Sequence, residues 1–241
     1  MSVVTAAHNA AEHLERTVRS VAEQTVPVAE HIIVDDGSTD ETAAVVEGLT
    51  TRFPNLVYIH QRQQGSAVAR NRGIQEASAR YIAFLDADDW WHPQKVEQQV
   101  RFMESTGAVF TYGDYEKREA LTGAILARYE LPESLGYGDL LGNCPIGCLT
   151  AAYDQVALGK RYMPDVRRGQ DWGLWLALTR DGTTAYKYPG SHAVYHASRG
   201  SLSSGKLRKT ADVFRIYRQE EGFSYWRSAW YLGWHMANAL R

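Results

Sequence analysis

The chain has 241 residues, 44% of them hydrophobic and 22% charged, enough to bury a full core as one large domain or as one domain with a C-terminal appendage. A formal net charge of −2 excludes the broad basic excess of a general nucleic-acid binder, so no nucleic-acid partner is expected. No stretch is long and apolar enough to span a bilayer, and MSVVTAAHNA lacks the charged, apolar and cleavage regions of a signal peptide, so the predicted location is the cytoplasm.

Residues 1–106 alternate β-rich runs with helical patterns. SVVTA (2–6) precedes a helix with apolar positions Leu14, Val18 and Val21; HIIVDD (31–36) precedes a helix over 39–49; LVYIH (56–60) precedes one over 66–77; YIAFLD (81–86) precedes one over 93–103. This βαβα repetition predicts an α/β fold with a mostly parallel sheet covered by helices. Polar residues follow three of these strands: His8 and Asn9, then Asp35 and Asp36, then Asp86 and Asp88. That carboxyl edge is where open α/β sheets bind ligands.

From residue 107 the pattern is mixed. AVFTYGDY reads as a strand, SLGYGDLL as a helix, and QDWGLWLALTRDG as a helix ending by Gly182. The pair in CPIGC, Cys144 and Cys148, offers too few ligands for zinc and reads as reduced thiols, with a disulfide or redox role the lesser alternative. From Lys206 onward a helical stretch bends near Gly222; it carries seven basic residues against three acidic ones, with Trp226, Trp230 and Trp234 four apart on one face. Such a face suits the interface of an anionic membrane. It equally suits packing on the catalytic domain or on a second subunit in a homodimer.

The stretch YIAFLDADDWW poses the chemical question, because three carboxylates leave a buried strand together. It lacks the DxDGT pattern of aspartyl-phosphate chemistry. The chain also lacks a GxGxxG after its first strand and any GxxxxGK[ST], so a bound nucleotide would need another way to neutralise its diphosphate. A divalent metal on one or two carboxylates would supply it. A solvated acidic turn capping the next helix explains a lone DxD more simply, and the surrounding blocks decide between the two.

Those blocks are VTAAHNAAEHLERTVRSVAEQT, VDDGSTDET, GSAVARNRGI, YIAFLDADDWWHPQK and RRGQDWGLWLALTR. In this order they resemble the glycosyltransferases of family 2, which have the GT-A fold, and in particular the small bacterial members that build O-antigen, capsular or teichuronic-type polysaccharides. The resemblance covers nearly all of residues 1–205. It implies a GT-A domain over 1–205, with a nucleotide-sugar half at 1–106 and an acceptor half at 107–205, followed by an amphipathic helical tail at 206–241. It further implies inverting, Mn²⁺- or Mg²⁺-dependent transfer of a sugar from a UDP-sugar to an acceptor hydroxyl, expected on a polyprenyl-diphosphate-linked saccharide, by an enzyme peripheral to the inner membrane face.

Residue by residue, the resemblance implies that Asp36 bonds uracil and that the loop from Ala6 to His8 packs on the base, with Ala6-Ala7-His8-Asn9 standing where members often have Pro-x-Tyr-Asn. Asp86 matches the carboxylate that contacts donor ribose or sugar, and Asp88 the one that ligates the metal. Arg70 would lie by the diphosphate, or pair with Asp36 or Asp86. Asp89 is expected to cap the next helix or orient the acceptor. Asp171, where the family places an acidic residue often preceded by Glu, would be the catalytic base. In YHASRGSLSSGK, His196 replaces the usual Arg and would complete the metal shell or touch phosphate, with Ser201, Ser203 and Lys206 as lid contacts. Two rivals remain at this point. A sugar-1-phosphate nucleotidylyltransferase would need a glycine-rich GxGTR-like loop after the first strand, and a non-catalytic carbohydrate-binding relative would have lost the DxD or the base.

Overall fold

The computed structural model describes residues 1–120, 122–197 and 206–238, without the side chains of 206–209. Apolar runs make its first strands: β1 (Ser2–Ala7), β2 (Glu30–Asp36), β3 (Leu56–Gln61) and β4 (Tyr81–Phe84). They lie in the order β3, β2, β1, β4, all parallel, with Ala7 opposite Asp35 and Asp36 opposite Gln61, so these strands end at one edge. The helices between them are α1 (Leu14–Ala22), α2 (Thr42–Thr50) and α3 (Ser66–Glu76), followed by α4 (Lys95–Thr106). Leu14, Thr17, Val18 and Val21 form the buried stripe of α1. Helix α3 lies so close to β1 that a Cβ on Gly73 would stand 2.3 Å from a methyl of Val4.

Two element expectations shift. Helix α2 starts at Thr42 because the Asp40 carboxylate binds the Thr42 amide and hydroxyl, and the Ala11 amide from the neighbouring loop, holding 39–41 in a turn. The helix expected from residue 93 begins only at Lys95, and before it Trp90 and Trp91 form a two-residue strand, β5, antiparallel to residues 193–194.

The second half extends the same sheet. Strand β6 (Phe110–Glu119) carries β7 (Ile125–Tyr129) as an antiparallel partner, and β8 (Ser134–Leu135) leads into α5 (Tyr137–Gly142). A 3₁₀ turn at Cys148–Thr150 leads to β9 (Ala152–Asp154), which lies antiparallel between β4 and β6; α6 (Gln155–Leu158) follows. Helix α7 (Gln170–Thr179) precedes the long β10 (Ala185–Ala197), parallel to β6. Cys144 and Cys148 are not joined in a disulfide.

The C-terminal helical stretch bends as its sequence suggests: α8 (Lys206–Arg215), a π turn at Ile216–Glu220, a left-handed Gly222, then α9 (Tyr225–Asn238). Val213, Ile216, Tyr217 and Phe223 belong to the same apolar cluster as Phe84, Trp172 and Trp175. No helix among the described residues is long and apolar enough to cross a membrane.

Candidate active site

The site is built at the carboxyl edge of β1, β2 and β4. Past β1, the backbone turns through Asn9 at φ 51 and is stitched to the next loop by Asn9 N–H to Ser38 Oγ and Thr39 N–H to Asn9 Oδ1. Ala6 lies half-buried at the end of β1. The exposed His8 ring sits between loops, its Nδ1 3.0 Å from the Asp36 carbonyl and its Nε2 3.1 Å from Gln63 Nε2. A carbonyl only accepts, so the proton lies on Nδ1 and Nε2 accepts from Gln63.

Asp36 is buried, and its carboxylate organises the entry to α3. One oxygen accepts from Gln61 Nε2 and the Gln64 amide, both at 2.8 Å, and the other from the Gly65 amide at 2.7 Å. The second oxygen therefore keeps a lone pair for one more donor. Gly65 turns into α3 at φ 100, a region that disfavours a side chain.

Arg70, on α3, joins the two halves of the site. One guanidinium nitrogen donates to Asp86 Oδ1 at 2.5 Å and another to Gln170 Oε1 at 2.8 Å, while Gln170 also exchanges hydrogen bonds with Ser66. Of the two ion-pair partners foreseen for Arg70, Asp86 is the one found and Asp36 is not. Burial works against the guanidinium's charge, but Asp86 together with Cys148 and Asp171 outweighs it and the net shift is upward. Gln170 was not singled out in the sequence; its position directly before the acidic residue of the α7 block was the available signal.

Asp86 and Asp88 are half-buried side by side in the turn after β4. Burial, and then the charge of Asp86, raises the Asp88 carboxyl above its usual range. Asp89 departs from expectation. It caps no helix: it is fully buried, and one oxygen accepts the His196 amide at 2.8 Å while the other has no hydrogen-bond partner. It is thus a brace between the DADD turn and β10. Arg16, also unforeseen, donates to the Asp88 carbonyl and stacks 4.1 Å over Trp90.

His196 is buried, its ring edge-on to His13 and Trp90 with centroids at 5.1 and 5.7 Å. Among the described residues no group of three His, Cys, Asp or Glu side chains could hold a metal ion. Any cation at Asp86 and Asp88 would therefore draw most of its shell from donor phosphate and water, and two adjacent carboxylates that repel each other are a suitable protein contribution to it. Ser201 and Ser203 lie outside the described residues, as does the Lys206 side chain.

Asp171 stands in the first turn of α7, after Gly169 at φ 76, and its own Oδ1 accepts the Trp172 amide at 2.9 Å. Burial raises its carboxyl; Arg70 acts to lower it and Asp86 to raise it further. Cys148 lies buried among these same charges, its thiol pushed up by burial. A cavity of about 220 Å³ opens beside Asp171, lined among others by Asn143, Cys144, Arg168, Val213 and His235. A more open recess of about 620 Å³ lies between Arg16, Glu12 and Trp90, lined by none of Asp36, Arg70, Asp86 or Asp171.

The arrangement is a carboxylate pair at one end, an arginine bridge, and a carboxyl of raised pKa facing a cavity at the other. A family model described as "Glycosyl transferase family 2" matches residues 2–175. The chain is 37% identical over 245 residues to the "Putative teichuronic acid biosynthesis glycosyltransferase TuaG" of Bacillus subtilis, covering 100% of this chain and 96% of that one. It is 33% identical over 211 residues to the "UDP-Glc:alpha-D-GlcNAc-diphosphoundecaprenol beta-1,3-glucosyltransferase WfgD" of Escherichia coli, covering 87% and 81%. In fold it is similar to S. aureus TarS 1-349 in complex with UDP-GlcNAc, with TM-score 0.75, 16% identity and coverage of 98% and 71%. It is also similar to the mannosyltransferase PcManGT from Pyrobaculum calidifontis in complex with GDP-Man and Mn²⁺, with TM-score 0.69, 18% identity and coverage of 98% and 72%. The chain belongs to glycosyltransferase family 2 and is a glycosyltransferase of GT-A-like fold, which sets aside the nucleotidylyltransferase and non-catalytic alternatives.

Proposed function

We propose that this glycosyltransferase moves a sugar from a UDP-sugar to a hydroxyl of a polyprenyl-diphosphate-linked saccharide, with inversion, in surface polysaccharide assembly. The observation that carries the reading is Asp171: a half-buried carboxyl of raised pKa, coupled through Arg70 to Asp86 and opening onto a cavity large enough for part of an acceptor. A base whose pKa approaches the working pH removes a proton more effectively than an ordinary carboxylate. The acceptor class follows the Escherichia coli relative, whose name gives a UDP-Glc donor and a diphosphoundecaprenol-linked acceptor.

In this reading the free lone pair of Asp36 accepts the uracil N–H, His8 and Ala6 flank the base, and Asp86, steered by Arg70, orients the donor's ribose or sugar. Asp88, with Asp86, would hold Mn²⁺ or Mg²⁺, which neutralises the diphosphate as it leaves. His196, Ser201 and Lys206 would contact the diphosphate. Asp171 takes the acceptor hydroxyl's proton as its oxygen bonds to the anomeric carbon; the bond to the diphosphate breaks on the opposite face, and UDP departs. Asp171→Asn tests this: nucleotide binding by calorimetry stays near wild type, while transfer falls by roughly 10²- to 10⁴-fold. Near-normal turnover would place the base elsewhere.

A further inference from the structure

Helix α9 packs inward through apolar and polar side chains alike: Tyr231 and Leu232 rest on the core, Ser228 is fully buried, Asn238 donates to the Gly142 carbonyl at 3.1 Å, and the His235 ring lies 5.1 Å from that of Trp172. The opposite face is apolar and open, with Trp226 82% and Trp230 64% exposed, alongside Tyr225 and Met236. Trp234 is partly exposed and also rests on Gly142, where a Cβ would come within 2.8 Å of its ring. The only formal charge on α9 is Arg227, itself exposed.

Two further observations select the occupant of this face. Residues 206–241 carry seven basic against three acidic residues in a chain of net charge −2, so the C-terminal segment is basic and the rest of the chain acidic, and Arg215, Arg218 and Arg227 are exposed on it. That balance complements an anionic surface and would repel a second copy's identical tail. The inner side of the same helix, through His235, lines the cavity at Asp171. A surface seated on the tryptophans would therefore lie one helix diameter from that cavity.

We propose that α9 docks on an anionic lipid bilayer through Trp226, Trp230 and Trp234, lying in the plane of the interface, and that its inner face presents the Asp171 cavity to acceptors carried in that bilayer. Indole rings favour the headgroup region, and a helix with an apolar face beside basic residues lies in the interface without spanning it. The presentation of acceptor rests on the reading of Asp171 given above; the docking does not.

The test is flotation of the full chain, without nucleotide or acceptor, on vesicles of phosphatidylcholine with or without phosphatidylglycerol. Wild type should float with the anionic vesicles and be released by high salt. The double variant W226A/W230A, which alters only exposed rings, should keep its melting temperature and bind vesicles at least about tenfold more weakly. Its transfer to a short-chain, water-soluble acceptor should match wild type, while transfer to a lipid-linked acceptor in vesicles should fall. Equal flotation of variant and wild type would overturn the docking. So would absence of flotation combined with a dimer, seen in sedimentation, that the substitutions dissolve. Trp-dependent flotation in a chain that glycosylates neither acceptor would uphold the docking and refute the acceptor reading instead.

Discussion

Replacing Arg70 with Gln removes a cation that touches both Asp86 and Gln170. It keeps an amide able to reach one of the two partners, Asp86 Oδ1 or Gln170 Oε1, but not both. Opposite charges in a partly buried site, at an effective dielectric near 20, interact by roughly 2 to 4 kcal/mol. The Asp86 side chain is 32% exposed and regains some hydration, so the net loss of stability is about 2 kcal/mol, a fall in Tm of about 4–8 °C for a chain of this size. The chemical consequence is separate. Arg70 acts to lower the Asp171 carboxyl, against burial; without it that carboxyl rises further, and the deprotonated base is lost at a higher pH. The acid limb of kcat/KM should move upward. Thermal unfolding and a pH–rate profile with a UDP-sugar measure the two effects. An acid limb that stays in place, or moves to lower pH, would refute the coupling of Arg70 to the base.

Asp88→Asn should weaken metal-dependent UDP binding at least about tenfold in calorimetry, since a neutral amide is a poorer ligand for a hard cation; full-strength binding independent of metal would remove the role given to Asp88. Gly73→Ala forces a Cβ to 2.3 Å from Val4 and should cost about 1–3 kcal/mol in denaturant unfolding, against the small gain that Ala brings to an unobstructed helix. Lys95 is fully buried, without a hydrogen-bond partner, 3.6 Å over the Trp91 ring, and burial drives its pKa well below the lysine range. Burial therefore penalises the protonated form in the folded chain, while the unfolded chain holds that proton up to about pH 10. Lys95→Met should stabilise by about 1–2 kcal/mol near neutral pH, and the advantage should shrink as the pH rises toward the unfolded lysine pKa; a gain that grows with pH would contradict this.

The repeating strand and helix patterns were legible because each is set by its own residues: the buried HIIV run and the Leu14, Val18, Val21 stripe state their partners locally. Trp90 and Trp91 were not, because a two-residue strand is defined by β10, a hundred residues away, and carries no period of its own. Asp89 failed for a related reason. Its carboxylate is occupied by the His196 amide, which no local spacing encodes, whereas helix capping is a local habit of Asp. Asp86, Asp88 and Asp171 were visible as motif residues. The bridge that joins them, Arg70 to Gln170, needed α3 and α7 brought together first.

The packing of the C-terminal helices has a consequence in time. Trp172, beside Asp171, meets Tyr217 edge-on and His235 at a tilt, so the wall behind Asp171 is assembled from residues synthesised long after it. At about 5–20 residues per second, several seconds separate the emergence of the two. The cavity beside Asp171 is therefore completed only together with the helix that carries the tryptophans, since His235 of that helix is part of its lining.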